Sequence, residues 1–145
     1  MKRHHLIALV TTAVLPTLPA SLLARSQSAY LGNPEIGKEA HCFDLHPHGG
    51  GVQQNCSGTK HWVMPLVYDN AGSKTIRIYG KNAGRSTITC RAASADQHGE
   101  YRAGSKSTFR ENQHEIRLTV NAHGYGGTWV RCYMPKGSVV YSITY

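Results

Sequence analysis

The sequence predicts an all-β protein: an antiparallel β-sandwich, immunoglobulin-like or jelly-roll-like, tied by two disulfides. Three observations carry that expectation. Short runs alternate apolar and polar residues with a period of two, at residues 75–79, 87–91, 115–120 and 128–133. Turn-forming clusters such as Asp69-Asn70-Ala71-Gly72 and Gly80-Lys81-Asn82-Ala83-Gly84 separate these runs, and no helical period follows residue 29. Four cysteines, Cys42, Cys56, Cys90 and Cys132, make an even count in a small chain, the usual mark of disulfides in an exported protein.

The chain opens on the basic run Met1-Lys2-Arg3-His4-His5, then an apolar stretch to Ala24 broken by Pro16 and Pro19, then the small residues Ser26 to Ala29. This layout reads as a secretory signal peptide over residues 1–29, cleaved between Ala20 and Ala29. No later stretch is apolar enough to span a bilayer, so no membrane span is expected after cleavage. The leader holds three of the 16 basic residues and none of the 8 acidic ones, so removing it lowers the formal charge from +8 to +5. That balance permits attraction to anionic glycans or other polyanions without demanding it.

Residues 30–60 are rich in glycine, proline, histidine and asparagine. They read as an irregular arm closed by Cys42–Cys56, with a short strand near Ala40 to Phe43. The sandwich core is expected over residues 61–145. Residues 61–68 form its first strand, an edge or bulged one because it contains Pro65. Residues 75–79 and 87–91 follow, then a loop or weak strand over 92–104 and a short edge strand over 105–109. Residues 115–120 turn Ile116, Leu118 and Val120 inward, and the glycine-rich run 121–127 reads as a hairpin loop. In the next strand Val130, Cys132 and Met134 share the inner face, while Trp129, Arg131 and Tyr133 share the outer one. Residues 139–145 end the chain. Cys90 and Cys132 occupy matching inward positions, which favours Cys90–Cys132 and Cys42–Cys56 among the three possible pairings. No tryptophan stands on the strand after Cys90, where immunoglobulin domains place the one between their cysteines.

The run from Trp62 to Tyr145, with Met64-Pro65, Thr89-Cys90, Arg131-Cys132, Pro135 and Gly137-Ser138, resembles small exported bacterial β-sandwich proteins of unassigned function. It departs from them at Met64-Pro65, where they tend to carry Cys-Pro. The resemblance implies a sandwich and no particular activity.

Three constellations could carry function. His41, His46 and His48, with Asp44 nearby, could surround copper or zinc, since neutral imidazole suits both. Trp129, Arg131 and Tyr133, joined by Arg77 and Tyr79 if their strands are neighbours, could form an aromatic–basic face for sugar rings or acidic groups. Arg102, Lys106 and Arg110 with Tyr101 and Phe109 look like a nucleic-acid patch, but the modest charge favours a solvated edge and no nucleic-acid partner. No Gly-x-Ser-x-Gly, His-Glu-x-x-His or phosphate-binding loop occurs, so no enzyme and no cofactor is expected. The sequence therefore reads as a secreted, non-catalytic surface, matrix or interaction module. The rival readings are a carbohydrate- or polyanion-binding module and an extracellular metal binder, and the partner is a glycan or another extracellular protein.

Overall fold

A computed structural model of the chain describes residues 25–47 and 50–145. The expected leader therefore lies outside the described residues up to residue 24, as does His48. Eleven strands form two antiparallel sheets. They are β1 (Ser26–Ser28), β2 (Asn33–Pro34), β3 (Phe43–Leu45), β4 (Val52–Gln54), β5 (Thr59–Leu66), β6 (Gly72–Lys81), β7 (Thr89–Ala95), β8 (Tyr101–Thr108), β9 (Glu115–Ala122), β10 (Gly127–Pro135) and β11 (Val139–Thr144). One sheet runs β3-β4-β11-β6-β9, with β1 also paired to β11; the other runs β2-β5-β10-β7-β8. Among the described residues, no helix is long and apolar enough to cross a membrane.

The alternation of the sequence decides which side chains meet between the sheets. Ile76, Ile78, Ile116, Leu118, Val140 and Ile143 point in from one sheet, and Met64, Cys90, Ala92, Val130, Cys132 and Met134 from the other. All are at most 1% exposed. Ile88 and Phe109 close one end of this core, joined by the Phe109 amide donating to the Ile88 carbonyl at 3.0 Å. Phe109 is thus a core residue and cannot belong to a surface patch with Tyr101 and Lys106.

Both disulfides pair as expected. Cys90 and Cys132 stand directly opposite each other on adjacent strands, with Cα atoms 4.1 Å apart. The bridge therefore staples one sheet internally, whereas the immunoglobulin bridge joins two sheets. From β4 onward the chain changes sheet at nearly every connection, the habit of a jelly roll. The run 121–127 accordingly forms no hairpin, because β9 and β10 belong to different sheets. Gly126 makes that crossing close against β7, where a Cβ would lie 1.8 Å from the Ala95 carbonyl oxygen.

The segment 30–60 is more ordered than its composition suggests. It supplies β2, β3, β4 and the first two residues of β5, and it places Cys42, Phe43 and Val52 in the core. Residues Gly37–Cys42 form 3-10 turns, so the strand expected near Ala40 begins only at Phe43. Strands of two or three residues show no readable alternation, which is why composition alone suggested an arm. Pro65 behaves as an edge residue. Its carbonyl accepts from Gln27 Nε2 at 3.0 Å, so that side of β5 has no strand ladder to lose a proline N–H from. Residues 92–104 are likewise more regular than expected, since β7 continues to Ala95 and β8 starts at Tyr101.

Candidate functional site

The candidate site is the outer face of the sheet β2-β5-β10-β7-β8. Four of its strands present residues in register. Trp129 lies opposite Pro65 on one side and Ala93 on the other, and Ala93 lies opposite Ala103. Arg131 lies between Val63 and Arg91, and Arg91 lies opposite Lys106. Tyr133 lies between His61 and Thr89. The sequence therefore grouped Trp129, Arg131 and Tyr133 on one face, as the sheet does. It also joined Arg77 and Tyr79 to them, and these do not belong. Both sit on β6, whose inward residues Ile76 and Ile78 face the core, so Arg77 and Tyr79 point out from the opposite side of the sandwich. Alternation tells inward from outward but not which sheet a strand enters.

The face has two unlike ends. At the Tyr133 end a strap from the N-terminal segment closes over it. Glu35, just after β2, accepts from Arg131 Nη2 at 2.6 Å through one carboxylate oxygen. Its other oxygen lies 2.6 Å from His61 Nδ1. The Glu35 amide donates to the His61 carbonyl at 3.0 Å, and Tyr133 packs edge-on to the His61 ring at 4.5 Å. Lys60 and Glu39 extend the strap with an ion pair at 2.8 Å. Arg131 is held by these contacts, although its Nε is buried without a hydrogen-bond partner.

At the other end no strap is present among the described residues. Trp129 is half-buried and Tyr101, at the start of β8, is 55% exposed. Their ring centroids lie 6.2 Å apart with planes inclined by 45°. Between and beside them the sheet carries only small residues, Ala93, Ala95, Ala103 and Gly127. Two large rings above a floor of small side chains make a broad apolar shelf rather than a cleft. The hairpin that carries Tyr101 is built by Asp96, whose carboxylate accepts from the amides of His98 at 2.9 Å and Glu100 at 2.7 Å. Those bonds, the Glu100 amide foremost, hold the Asp96 carboxyl below the usual aspartate range. Sequence reasoning passed over Tyr101 as a ligand for this face because residues 92–104 alternate too weakly to fix which residues share its side.

Within the described residues of the histidine segment, His41 and His46 stand in separate surroundings. His41 Nδ1 lies 3.0 Å from the Lys38 carbonyl, and its Nε2 lies 3.6 Å from Cys42 Sγ. His46 stands edge-on to Tyr141 at 5.6 Å, and Asp44 accepts from Asn55 Nδ2 at 2.6 Å. Ligand atoms within 4.8 Å of one another come from His41, Cys42 and Cys56, and His46 is not among them. With both sulfurs in a disulfide, that group offers one imidazole and no thiolate. An open depression at the β8–β9 loop is lined by Lys106, Thr108, Arg110, Glu111 and Gln113 and adjoins the shelf through Lys106.

No protein-family model matches the chain, and no curated protein does. Among solved structures the chain is similar to the Arthrobacter globiformis T6 isomalto-dextranase complexed with panose. The two share 17% identity over 83% of this chain and 23% of that one, with a TM-score of 0.56. It also matches a Podospora anserina GH26-CBM35 β-(1,4)-mannanase at 9% identity, over 83% of this chain and 27% of that one, with a TM-score of 0.47. Both are carbohydrate-active enzymes, and this chain spans about a quarter of their lengths. At such identities the likeness is one of fold.

Proposed function

We propose that this chain is an exported, non-catalytic binding module that takes carbohydrate on the open end of the β5-β10-β7-β8 face. The observation that carries this reading is the pairing of Trp129 and Tyr101, 6.2 Å apart above a floor of alanines. Sugar rings present one apolar face of C–H groups, and a partly exposed indole beside an exposed phenol matches such a face while their polar edges meet water. Nothing in the fold needs these rings outside, since the sandwich core is filled by the opposite faces of the same strands. The shelf is open and shallow, which suits a polymer passing over it better than a small molecule that must be enclosed. The fold likeness to a segment of a carbohydrate-active enzyme agrees with this reading. Two disulfides fit an oxidising compartment outside the cytoplasm.

A glycan array probed with the mature chain tests the proposal, with Trp129→Ala as the control. Signals on a subset of polysaccharides that vanish with Trp129→Ala are expected. Uniform background across the array would contradict a sugar site and leave the face to a protein partner.

A further inference from the structure

We infer that the carbohydrate taken by this face is acidic, a polysaccharide bearing carboxylate or sulfate groups; the inference rests on the glycan-binding reading above. The ground is a row of cations crossing three adjacent strands. Arg131 on β10 lies opposite Arg91 on β7, and Arg91 lies opposite Lys106 on β8. The row runs beside the Trp129–Ala93–Ala103 row on the same outer face, one pleat further along β10 and β7 and three residues further along β8, where the register shifts between Ala103 and Lys106. Like charges placed directly opposite one another destabilise a sheet, so such a row calls for a counter-charge. Only its strapped end has one, where Glu35 binds Arg131 at 2.6 Å. Among the described residues no carboxylate lies within ion-pair distance of Arg91 or Lys106, and both are exposed.

The far side of the sandwich provides a contrast within the same molecule. There Arg77 lies opposite Arg117, and the protein supplies its own acid, Glu115, which accepts from Arg117 Nε at 3.0 Å. The bond to Arg117 keeps the Glu115 carboxyl low, helped by Tyr79 and the nearby Arg77 charge. One arginine pair is thus given an internal counter-charge, while Arg91 and Lys106 stand bare beside the aromatic shelf.

The dimensions match a polymer with one charge per ring. Successive members of the row sit on strands about 4.8 Å apart. That step is comparable to the advance of one sugar along an extended chain, so a strand of acidic sugars can stack on Trp129 and Tyr101 and set consecutive charges at Arg91 and Lys106. Nucleic acid also carries closely spaced charges, but its binders neutralise many phosphates along a continuous track. Here the row itself holds two cations without an internal acid, Arg110 beyond Lys106 shares its depression with Glu111, and Glu35 would repel an anion at the other end.

The test is retention of the full mature chain in gels containing polygalacturonate, alginate or chondroitin sulfate. Each is compared with its carboxyl-reduced or desulfated counterpart, and single-stranded DNA serves as a non-sugar polyanion. Retention by at least one acidic polymer is expected, weakened about tenfold or more in the neutral counterpart and in the double variant Arg91→Gln/Lys106→Gln. Trp129→Ala should abolish it. A second readout needs no ligand: the double variant should melt at or above the wild-type temperature, because a repulsive pair is gone. Equal retention by acidic and neutral polymers would overturn this inference and leave the glycan reading standing. No retention by any polysaccharide would overturn both. Retention by DNA as strong as by the acidic glycans, and insensitive to Trp129→Ala, would reduce the row to a general polyanion surface and overturn the inference.

Discussion

The indole Nε1–H of Trp62 donates to the backbone carbonyl of Ala29 at 2.8 Å, inside the protein. Trp62 is 5% exposed and Ala29 fully buried. The bond anchors a segment that also includes β1, which pairs with β11 at Ser26↔Thr144, Gln27↔Ile143 and Ser28↔Ser142. Arg25 and Tyr145 exchange backbone hydrogen bonds just outside that ladder, at 2.7 and 2.8 Å. Residues 25–29 therefore belong to the folded unit, and processing that spares them must fall before Arg25, toward the early end of the window read from the sequence. Mass measurement of the exported chain should find Arg25 to Ala29 retained. A chain shortened to begin at Tyr30 should lose about 3 kcal/mol, since it strips a ladder and leaves the buried indole N–H unpaired. An equally stable shortened chain would show that these contacts contribute nothing.

The two disulfides should separate under graded reduction. Cys90 and Cys132 are completely buried, whereas Cys56 is partly exposed. Peptide mapping with rising reductant should show Cys42–Cys56 opening first and Cys90–Cys132 only on unfolding. On the chain-entropy model the 42-residue separation makes the latter worth about 4 kcal/mol and the 14-residue one about 3. Replacing Cys90 and Cys132 by alanine should therefore lower the melting temperature more than replacing Cys42 and Cys56.

Acid should loosen the Tyr101 hairpin before the core. The folded-state pKa of Asp96 lies below its ordinary value of 3.8, so its contribution is present above that value and is lost as pH falls through the lower folded one. Amide protection factors at His98 and Glu100, taken against the intrinsic exchange rate at each pH, should fall below about pH 4 while those of Ile116 and Leu118 hold. Asp96→Asn should show the faster exchange already at neutral pH. Exchange at His98 and Glu100 unaffected by either change would mean that the Asp96 bonds do not hold the turn.

Glu35→Gln separates the strap from the shelf. Its ion pairs are partly exposed, with the Arg131 and Glu35 side chains 39% and 29% accessible, so the stability change should be about 1 kcal/mol or less. Proteolysis within residues 35–41 should nevertheless speed up as the strap lifts. Removing the acid should also tighten binding of acidic polysaccharide by freeing Arg131. Weaker binding would mean that Glu35 takes part in the site rather than closing its edge.

Much of this fold was legible because its long strands bury one face each. β6, β9 and β10 place Ile76, Ile78, Ile116, Leu118, Val120, Val130, Cys132 and Met134 inward by simple alternation. Cys90–Cys132 followed from the matching positions of its two cysteines. What local pattern cannot carry is the assignment of strands to sheets. Arg77 and Tyr79 alternate as cleanly as Trp129 and Arg131 but stand on the opposite face, and the glycine run after β9 crosses between sheets where a hairpin was expected. Tyr101 was grouped with Arg102 and Lys106 rather than with Trp129, because β8, Tyr-Arg-Ala-Gly-Ser-Lys-Ser-Thr, has no apolar–polar alternation to fix which residues share its face. The strap escaped for a related reason, since β2 is two residues long and Glu35 meets Arg131 only through tertiary folding.

Tryptophan fluorescence reaches the central claim most directly, because the chain has two tryptophans and one, Trp62, is buried. In a Trp62→Phe variant that keeps its fold, emission comes from Trp129 alone. Titration with a polysaccharide that the chain retains should shift that emission to the blue and shield it from acrylamide. A polysaccharide that binds while Trp129 stays as accessible to quencher as before would contradict the account, because the sugar would then lie somewhere other than the Trp129–Tyr101 shelf.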